Sequence, residues 1–251
     1  MAANNLRIVS TNRVASIGGT WSGTANNVLN DYRSQFASTN AATVNATISS
    51  AFVVGTKVAV ILVLTDQTTS ISLSVSATNF SATGSVTAVT TASTLGKGAG
   101  QYLVAYGTVT GGTSGTVFTI TVPSNTKISR IIIGEYWEPK YNTGFGIQTG
   151  FSDNSSSERT QSGDLYTIVG TRNKVLSVNL DYMDESDKYK FYDILKTNGK
   201  MIPLFISIFP ANTSDTQKEQ MFSIYGKFTD LTNITHTMWT IYTSTISIEE
   251  I

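Results

Sequence analysis

The sequence predicts a mainly β protein in which an N-terminal, jelly-roll-like β-sandwich is followed by a C-terminal α+β domain. Charged residues make up only 14% of the chain, well below the roughly 25% of typical domains, so Ser, Thr, Asn and Gly must build much of the surface. Short apolar segments separated by turn residues recur along the chain, as in sandwiches and jelly rolls. A clear helical period occurs only near residues 185–198. We therefore expect a β-sandwich domain over residues 1–136 and, over residues 137–251, a mostly antiparallel sheet with this one helix.

The first domain is predicted from a series of short apolar stretches. Residues 57–64 form a near-continuous apolar run, which is typical of a central strand. Ile71, Leu73 and Val75 alternate with polar residues, as in a half-buried strand. Further strands are predicted over residues 6–9, 44–48, 86–93, 102–109 and 117–122 and from 128 onward, with turns or loops at 18–21, 30–34, 96–100, 111–115 and 123–125.

The densest hydrophobic and aromatic segment lies where the two domains meet. The consecutive isoleucines at 131–133 indicate a strand that is buried on both faces. The aromatic residues Tyr136, Trp137 and Tyr141 follow, and Pro139 ends regular strand pairing. These aromatic rings could stack on a sugar or enter a partner's groove, or they could fill the seam between the domains. We favour the seam, and expect Tyr136, Trp137, Pro139 and Tyr141 to be interdomain or interface residues.

The second domain combines strands with the single predicted helix. Residues 165–169 and 175–182 are expected to form strands, the latter with Leu176, Val178, Leu180 and Tyr182 on one face. Acidic residues at 184–187 provide an N-cap and match the helix dipole. The helix then continues with Phe191, Ile194 and Leu195 at helical spacing. Gly199 ends it.

The last part of the chain is expected to return to β structure. Residues 202–209 form an apolar strand bounded by Pro203 and Pro210, which predicts either a position near a sheet edge or irregular strand ends. A polar loop over 211–218 and a loop over 153–157 are expected. Strands are predicted over 221–228 and 235–248, and the latter is long enough to reach a neighbouring subunit.

Composition excludes several classes of chemistry. The chain has no cysteine, so disulfides, thiolate chemistry and cysteine-based zinc sites are excluded. No catalytic motif surrounds His236, the only histidine. Glu135 and Glu138 flank an aromatic residue, but three residues apart on a strand they should lie on opposite faces. We therefore expect no enzymatic activity, no cofactor and no metal site.

Charge and hydropathy constrain the partners. No basic cluster has the density that nucleic-acid binding requires. The first seven residues contain no apolar signal core, and the longest apolar run is too short to span a bilayer, so neither secretion nor membrane insertion is expected. Residues 1–127 hold six basic and two acidic residues, or +4, and the remainder holds eleven basic and fifteen acidic, or −4. These opposite charges could favour head-to-tail stacking of subunits, although scattered surface charges are the simpler interpretation.

Two segments resemble a family of tailed-bacteriophage virion proteins of the tail or tail-tip type. Residues 27–34, with the strand through Val60 and Leu62, resemble the opening of a galactose-binding-like jelly roll. The second segment comprises residues 133–142, 150–153, 158–160, Gly163, Arg172, 176–180, 184–199 and 203–210. The resemblance implies a non-enzymatic structural protein that is assembled in the host cytoplasm into the virion. It also implies a symmetric homo-oligomer, such as a ring, that contacts other virion proteins, and it transfers no functional residues.

A carbohydrate-binding module that recognises a host-surface glycan is the alternative. Such a module requires aromatic and polar side chains at loop tips, for which Trp21, Asn30, Tyr32 and Arg33 are the candidates. The first domain is poor in aromatic residues and charged loops, which favours an interaction scaffold. A hydrolase that uses Glu135 is a more distant third possibility.

Overall fold

The computed structural model describes residues 5–32, 34–65, 71–83, 101–111, 116–210 and 216–251. Its architecture is mainly β and sandwich-like, with large antiparallel sheets, as predicted. The strands are β1 (Arg7–Val9), β2 (Val14–Ser22), β3 (Ala37–Ile48), β4 (Lys57–Leu64), β5 (Ser74–Ser76), β6 (Phe80–Thr83), β7 (Gln101–Val109), β8 (Val117–Thr121), β9 (Lys127–Trp137), β10 (Gln148–Asp153), β11 (Ser156–Arg159), β12 (Leu165–Ile168), β13 (Arg172–Met183), β14 (Leu204–Ser207), β15 (Ser223–Phe228), β16 (Thr235–Met238) and β17 (Ile241–Glu250). The helices are α1 (Glu185–Asn198), the short α2 (Thr216–Met221) and a 3₁₀-helix, Ala25–Leu29.

The N-terminal half contains two facing layers of strands. One layer is ordered β2-β3-β8-β5 and the other β6-β7-β4-β9, and β3 joins β9 where Ala37 pairs with Ile128. Alternate side chains of both layers form the first core, which includes Val44, Val60, Leu62, Leu103, Phe118, Ile120 and Ile131. The alternation places one face of each strand in this core.

Strands β4 and β9 are buried on both faces, as their apolar runs predict. Val60 and Leu62 point into the first core, whereas Ile61 belongs to a second core on the other side of the sheet. Ile132 joins this second core together with Phe205 from the C-terminal half. The second core therefore lies between the two halves of the chain and is built by both of them.

The second layer continues across the C-terminal half as one antiparallel sheet. From β9 the strand order is β1, β14, β15, β17, β13 and β10. Helix α1 covers the other side of this sheet through Phe191 and Ile194, which enter a third core with Leu176, Val178 and Ile206. Ile8 in β1 and Leu6 just before this strand thus belong to the C-terminal core, although both lie near the N-terminus. The predicted boundary between residues 136 and 137 stays a prediction.

Helix α1 begins and ends where its capping residues predict. The carboxylate of Asp184 accepts a hydrogen bond from the Asp187 amide at 2.9 Å, which satisfies an otherwise unpaired N–H of the first turn. Gly199 ends the helix with φ of 49° and donates its amide to the Leu195 carbonyl.

Bulges move several side chains from their predicted positions. The predicted turn at 18–21 is wrong, because these residues continue β2, which pairs with β3 and shifts register next to Gly19 at a φ of +115°. In β13 the register shifts between Leu180 and Met183, so that Met183 is buried and Tyr182 points to solvent. The predicted common face for Tyr182 is therefore wrong.

The C-terminal strands also differ from the prediction. Residues 235–248 do not form one long strand but fold back as β16 and β17, with Thr240 at a φ of 65° in the turn. Strand β14 lies between β1 and β15 and is not at an edge. Helix α2 replaces the end of the loop predicted over 211–218, and β11 replaces the end of the loop predicted over 153–157. The strand and turn predicted over 86–93 and 96–100 lie outside the described residues, as do residues 112–115 and 211–215 of the predicted loops.

Candidate functional site

Trp137 connects the end of β9 to helix α1. Its indole ring stacks on the ring of Phe191, with centroids 6.0 Å apart and planes inclined by 26°. The indole N–H donates to Asp187 Oδ1 at 3.3 Å, and the Lys140 amide donates to Asp187 Oδ2 at 3.0 Å. Burial raises the pKa of Asp187, while these donors oppose the shift. One side chain at the start of α1 thus fixes the chain before and after Pro139.

Tyr136 points to the other side of the strand, into the core between the two halves. Its ring meets Tyr106 edge to face at 5.4 Å. The Arg7 guanidinium lies 4.3 Å from the centroid of the Tyr106 ring and 4.7 Å from that of Tyr136. Arg7 and Lys57 both approach Glu138 Oε2, at 3.8 and 3.1 Å respectively. Side chains from β1, β4 and β7 therefore contact Tyr136 at the end of β9 or Glu138, which directly follows this strand.

Pro139 is buried, and its carbonyl oxygen accepts from the Asn5 amide group at 2.8 Å. Tyr141 is half exposed, with Lys140 Nζ 5.5 Å from its ring centroid. The structure therefore brings Tyr136, Trp137 and Pro139 into packed positions at the junction, and leaves Tyr141 at its rim.

A buried polar cluster, not foreseen from the sequence, forms a second connection between the halves. Lys174 and Glu250 are only 3% and 4% exposed. The Lys174 ammonium donates to the backbone carbonyls of Gln220 at 2.8 Å and Ser223 at 3.0 Å. The Tyr102 hydroxyl from the N-terminal half donates to Glu250 and accepts the Tyr225 amide at 3.1 Å. Buried polar groups that are this well connected specify one arrangement of the elements that carry them.

Asp31 extends this connection toward the surface. Its carboxylate accepts from the Tyr225 hydroxyl at 2.9 Å and lies 3.2 Å from Arg130 Nη2. Burial raises the pKa of Tyr225, with Arg130 opposing the shift. Asp31 and Arg130 come from the N-terminal half and Tyr225 from β15, so this contact also crosses the junction.

The acidic pair considered as a catalytic candidate is divided between separate ion pairs. Glu135 pairs with Arg13, whereas Glu138 pairs with Lys57. Within the described residues, no group of three or more His, Asp or Glu side chains is arranged to hold a metal ion. His236 stacks on Tyr242 with ring centroids 4.8 Å apart. Glu135, Glu138 and His236 therefore each have a partner within the fold.

Of the candidates for glycan binding that the structure describes, Trp21 and Asn30 are partly buried and only Tyr32 is exposed. Trp21 is half-buried and packs against the first core. The Asn30 amide donates to Gln35 Oε1 at 2.7 Å, and Tyr32 is exposed. Arg33 lies outside the described residues. The glycan hypothesis stays a prediction, which a glycan array would test.

The outer face of α1 and the β16–β17 hairpin enclose a wide groove of about 680 Å³. We call this the α1 groove; its lining includes Lys188, Tyr189, Tyr192, Leu195, Lys196, Leu231, Ile234, His236 and Tyr242. Tyr189 and Tyr192 present more than half of their surfaces to solvent. Lys188 Nζ lies 4.3 and 4.2 Å from the ring centroids of Tyr189 and Tyr242. The groove is thus aromatic, with ammonium groups at its wall.

A second unusual surface is the two-stranded hairpin β11–β12. Residues 156–169, here called the arm, are all exposed, and the two strands form a separate sheet. The exposed apolar side chains of the arm are Leu165, Tyr166, Ile168 and Val169. The α1 groove could not be predicted from the sequence, because it depends on how distant segments meet.

Comparisons with known proteins add no family assignment: no protein-family model matches the chain, and a search of curated proteins found no match. Across the described part of the chain, no helix is long and apolar enough to cross a membrane.

Proposed function

We propose that the chain is a non-enzymatic structural component of a bacteriophage virion, in the tail or tail tip. It acts through oligomeric assembly and through contacts with neighbouring virion proteins, after synthesis in the host cytoplasm. The resemblance of two segments, which span most of residues 27–210, to such proteins supports the virion assignment. Two features support assembly: the exposed apolar side chains of the C-terminal half, and the contacts that connect the two halves.

The observation that carries the proposal is the concentration of exposed apolar side chains on the C-terminal half. The arm exposes Leu165 and Tyr166 by 61% and 62%, and the hairpin tip exposes Trp239 by 91%. Folded monomers seldom expose apolar patches of more than a few hundred Å², and larger ones mark interaction sites. Aromatic residues are also enriched at protein interfaces. These surfaces are suited to burial against other subunits.

The junction supports a mechanical role. Trp137 joins β9 to α1, and the cluster around Lys174 and Glu250 connects the halves through Tyr102. Domains that are joined only by a flexible linker usually move relative to each other. The Trp137 contact and the Lys174–Glu250 cluster should restrict such motion between the two halves. A subunit of this kind holds its N-terminal β-sandwich at a fixed angle to its assembly surfaces.

Two measurements test the proposal. Light scattering of the purified full chain should give a single oligomer with a defined number of copies. Peptide mass spectrometry of purified particles from cells that carry the corresponding phage should detect the chain in a constant ratio to other virion proteins. A chain that stays monomeric at high concentration and is missing from particles would contradict the proposal.

A further inference from the structure

We propose that the arm of one copy docks into the α1 groove of a second copy. Tyr166 and Ile168 enter the groove, and Glu158 meets Lys196. This inference rests on the proposed function, because it specifies the surface through which the subunits assemble.

The register of the arm places its apolar and acidic groups on one face. Glu158 pairs directly with Tyr166, and Ser156 pairs with Ile168, so these four side chains share a side of the hairpin. An isolated two-stranded hairpin is marginally stable in water, and every residue of the arm is exposed in the single chain. Burial of Tyr166 and Ile168 against a partner would provide the stabilisation that the hairpin lacks.

The α1 groove has the complementary shape. It is concave and within the size range of roughly 300–1,000 Å³ that is usual for binding sites. Tyr189, Tyr192 and Lys196 follow at i, i+3 and i+7 along the outer face of α1, so two rings and one ammonium line the same wall. The arm is a narrow, fully exposed hairpin within one copy, and the groove of a second copy offers an aromatic surface that could bury its apolar side chains.

The charges of the two surfaces are also complementary. The arm carries Glu158, Asp164 and one arginine, or a net charge of −1, and the groove lining carries Lys188 and Lys196 with no carboxylate. Lys188 already lies 3.6 Å from Glu185. Among the described residues, neither Glu158 nor Lys196 has a carboxylate or cation within ion-pair distance. This pairing favours a second copy as the occupant and would fix the register of docking.

The arm and the groove are different surfaces, so the contact is heterologous. Heterologous contacts propagate head to tail and close into a ring when the rotation between subunits allows it. The same contact gives an open filament when the rotation does not close, so an oligomer with a defined number of copies should be a closed ring.

The test is a charge-reversal cycle on the full chain, read by light scattering and native mass spectrometry over a concentration series. Glu158→Lys and Lys196→Glu should each weaken assembly by about tenfold or more, and the double variant should recover most of the loss. Tyr166→Ser should weaken assembly by a similar factor, whereas Leu165→Ser, equally exposed on the opposite face of the arm, is the matched control and should change it by less than about twofold.

The outcomes separate the two proposals. If the unmodified chain assembles but none of the arm and groove variants changes its assembly, or if the double variant shows no recovery, the arm–groove contact is wrong and the proposed function stands. If the unmodified chain never assembles and is missing from particles, the proposed function fails, and this inference fails with it. Glu158, Lys196, Leu165 and Tyr166 are all on the surface, so their substitution should leave the fold intact. Circular dichroism of each variant checks that it does.

Discussion

Replacement of Trp137 by alanine should remove the main contact between β9 and helix α1. The indole is half-buried, stacks on Phe191 and donates to Asp187 at 3.3 Å. A partly buried Trp removes roughly 120–150 Å² of surface from water, which is worth about 3–4 kcal/mol. The hydrogen bond to a carboxylate adds about 1 kcal/mol. We therefore expect the free energy of unfolding to fall by about 4 kcal/mol, within the usual range for such truncations.

The assay is urea denaturation of the dilute chain, combined with hydrogen exchange of the amides in α1 and β9. Trp239→Ala provides the matched control, because this Trp is 91% exposed at the tip of the β16–β17 hairpin and its truncation should cost less than about 0.5 kcal/mol. Trp137→Phe should recover much of the loss, since it keeps one aromatic ring beside Phe191 and loses the five-membered ring of the indole with its N–H donor. If Trp137→Ala costs under about 1 kcal/mol, or no more than Trp239→Ala, the role assigned to Trp137 is wrong.

Three further predictions concern the junction, the central sheet and an exposed corner. Lys174→Met should lower the free energy of unfolding by about 3 kcal/mol in a denaturant titration, because two backbone carbonyls lose a buried ammonium donor; an unchanged midpoint would contradict this. Gly134→Ala should cost about 3 kcal/mol or more because its Cβ would collide with the Thr11 carbonyl oxygen, whereas Gly18→Ala, with ordinary contacts at 3.8 Å, should be nearly neutral. The hydroxyl and amide of Ser155 and the Arg172 side chain lower the pKa of the Asp153 carboxyl to about 2. Its contribution to stability is therefore present above the ordinary Asp pKa and is lost as the pH falls toward 2. Carboxyl NMR titration should find this pKa and a higher one in Arg172→Gln, and a normal value in the unmodified chain would refute the assignment.

The sequence predicts the elements whose local pattern matches their environment. Residues 58–64 are all apolar because this part of β4 is buried between two cores. Helix α1 has the predicted bounds because Asp184 and Gly199 provide both caps locally. Neither inference required knowledge of distant contacts.

The failures have physical causes that lie outside the local pattern. The hairpin turn between β16 and β17 places a β-branched residue, Thr240, at positive φ, whereas turn prediction relies on Gly, Asn or Asp at such positions. The bulge after Leu180 exchanges the faces on which Tyr182 and Met183 lie. A prediction from strict alternation of side chains along a strand does not include such a bulge.

The candidate site divides in the same way. Trp137 could be assigned to the seam because an aromatic residue beside a proline follows a buried strand. Lys174 lies in phase with Leu176 and Val178 on the buried side of β13, and this alternation was the signal that could have identified it. The α1 groove unites a helix with a hairpin some forty residues further along the chain, and only the fold brings them together.

Cryo-microscopy of purified virions tests the central claim most directly. The account predicts density for this chain in the tail or tail tip, in several symmetry-related copies, with the arm of each copy lying in the α1 groove of the next. Particles in which the chain is missing, or in which it occurs as isolated copies without contacts to one another, would contradict it.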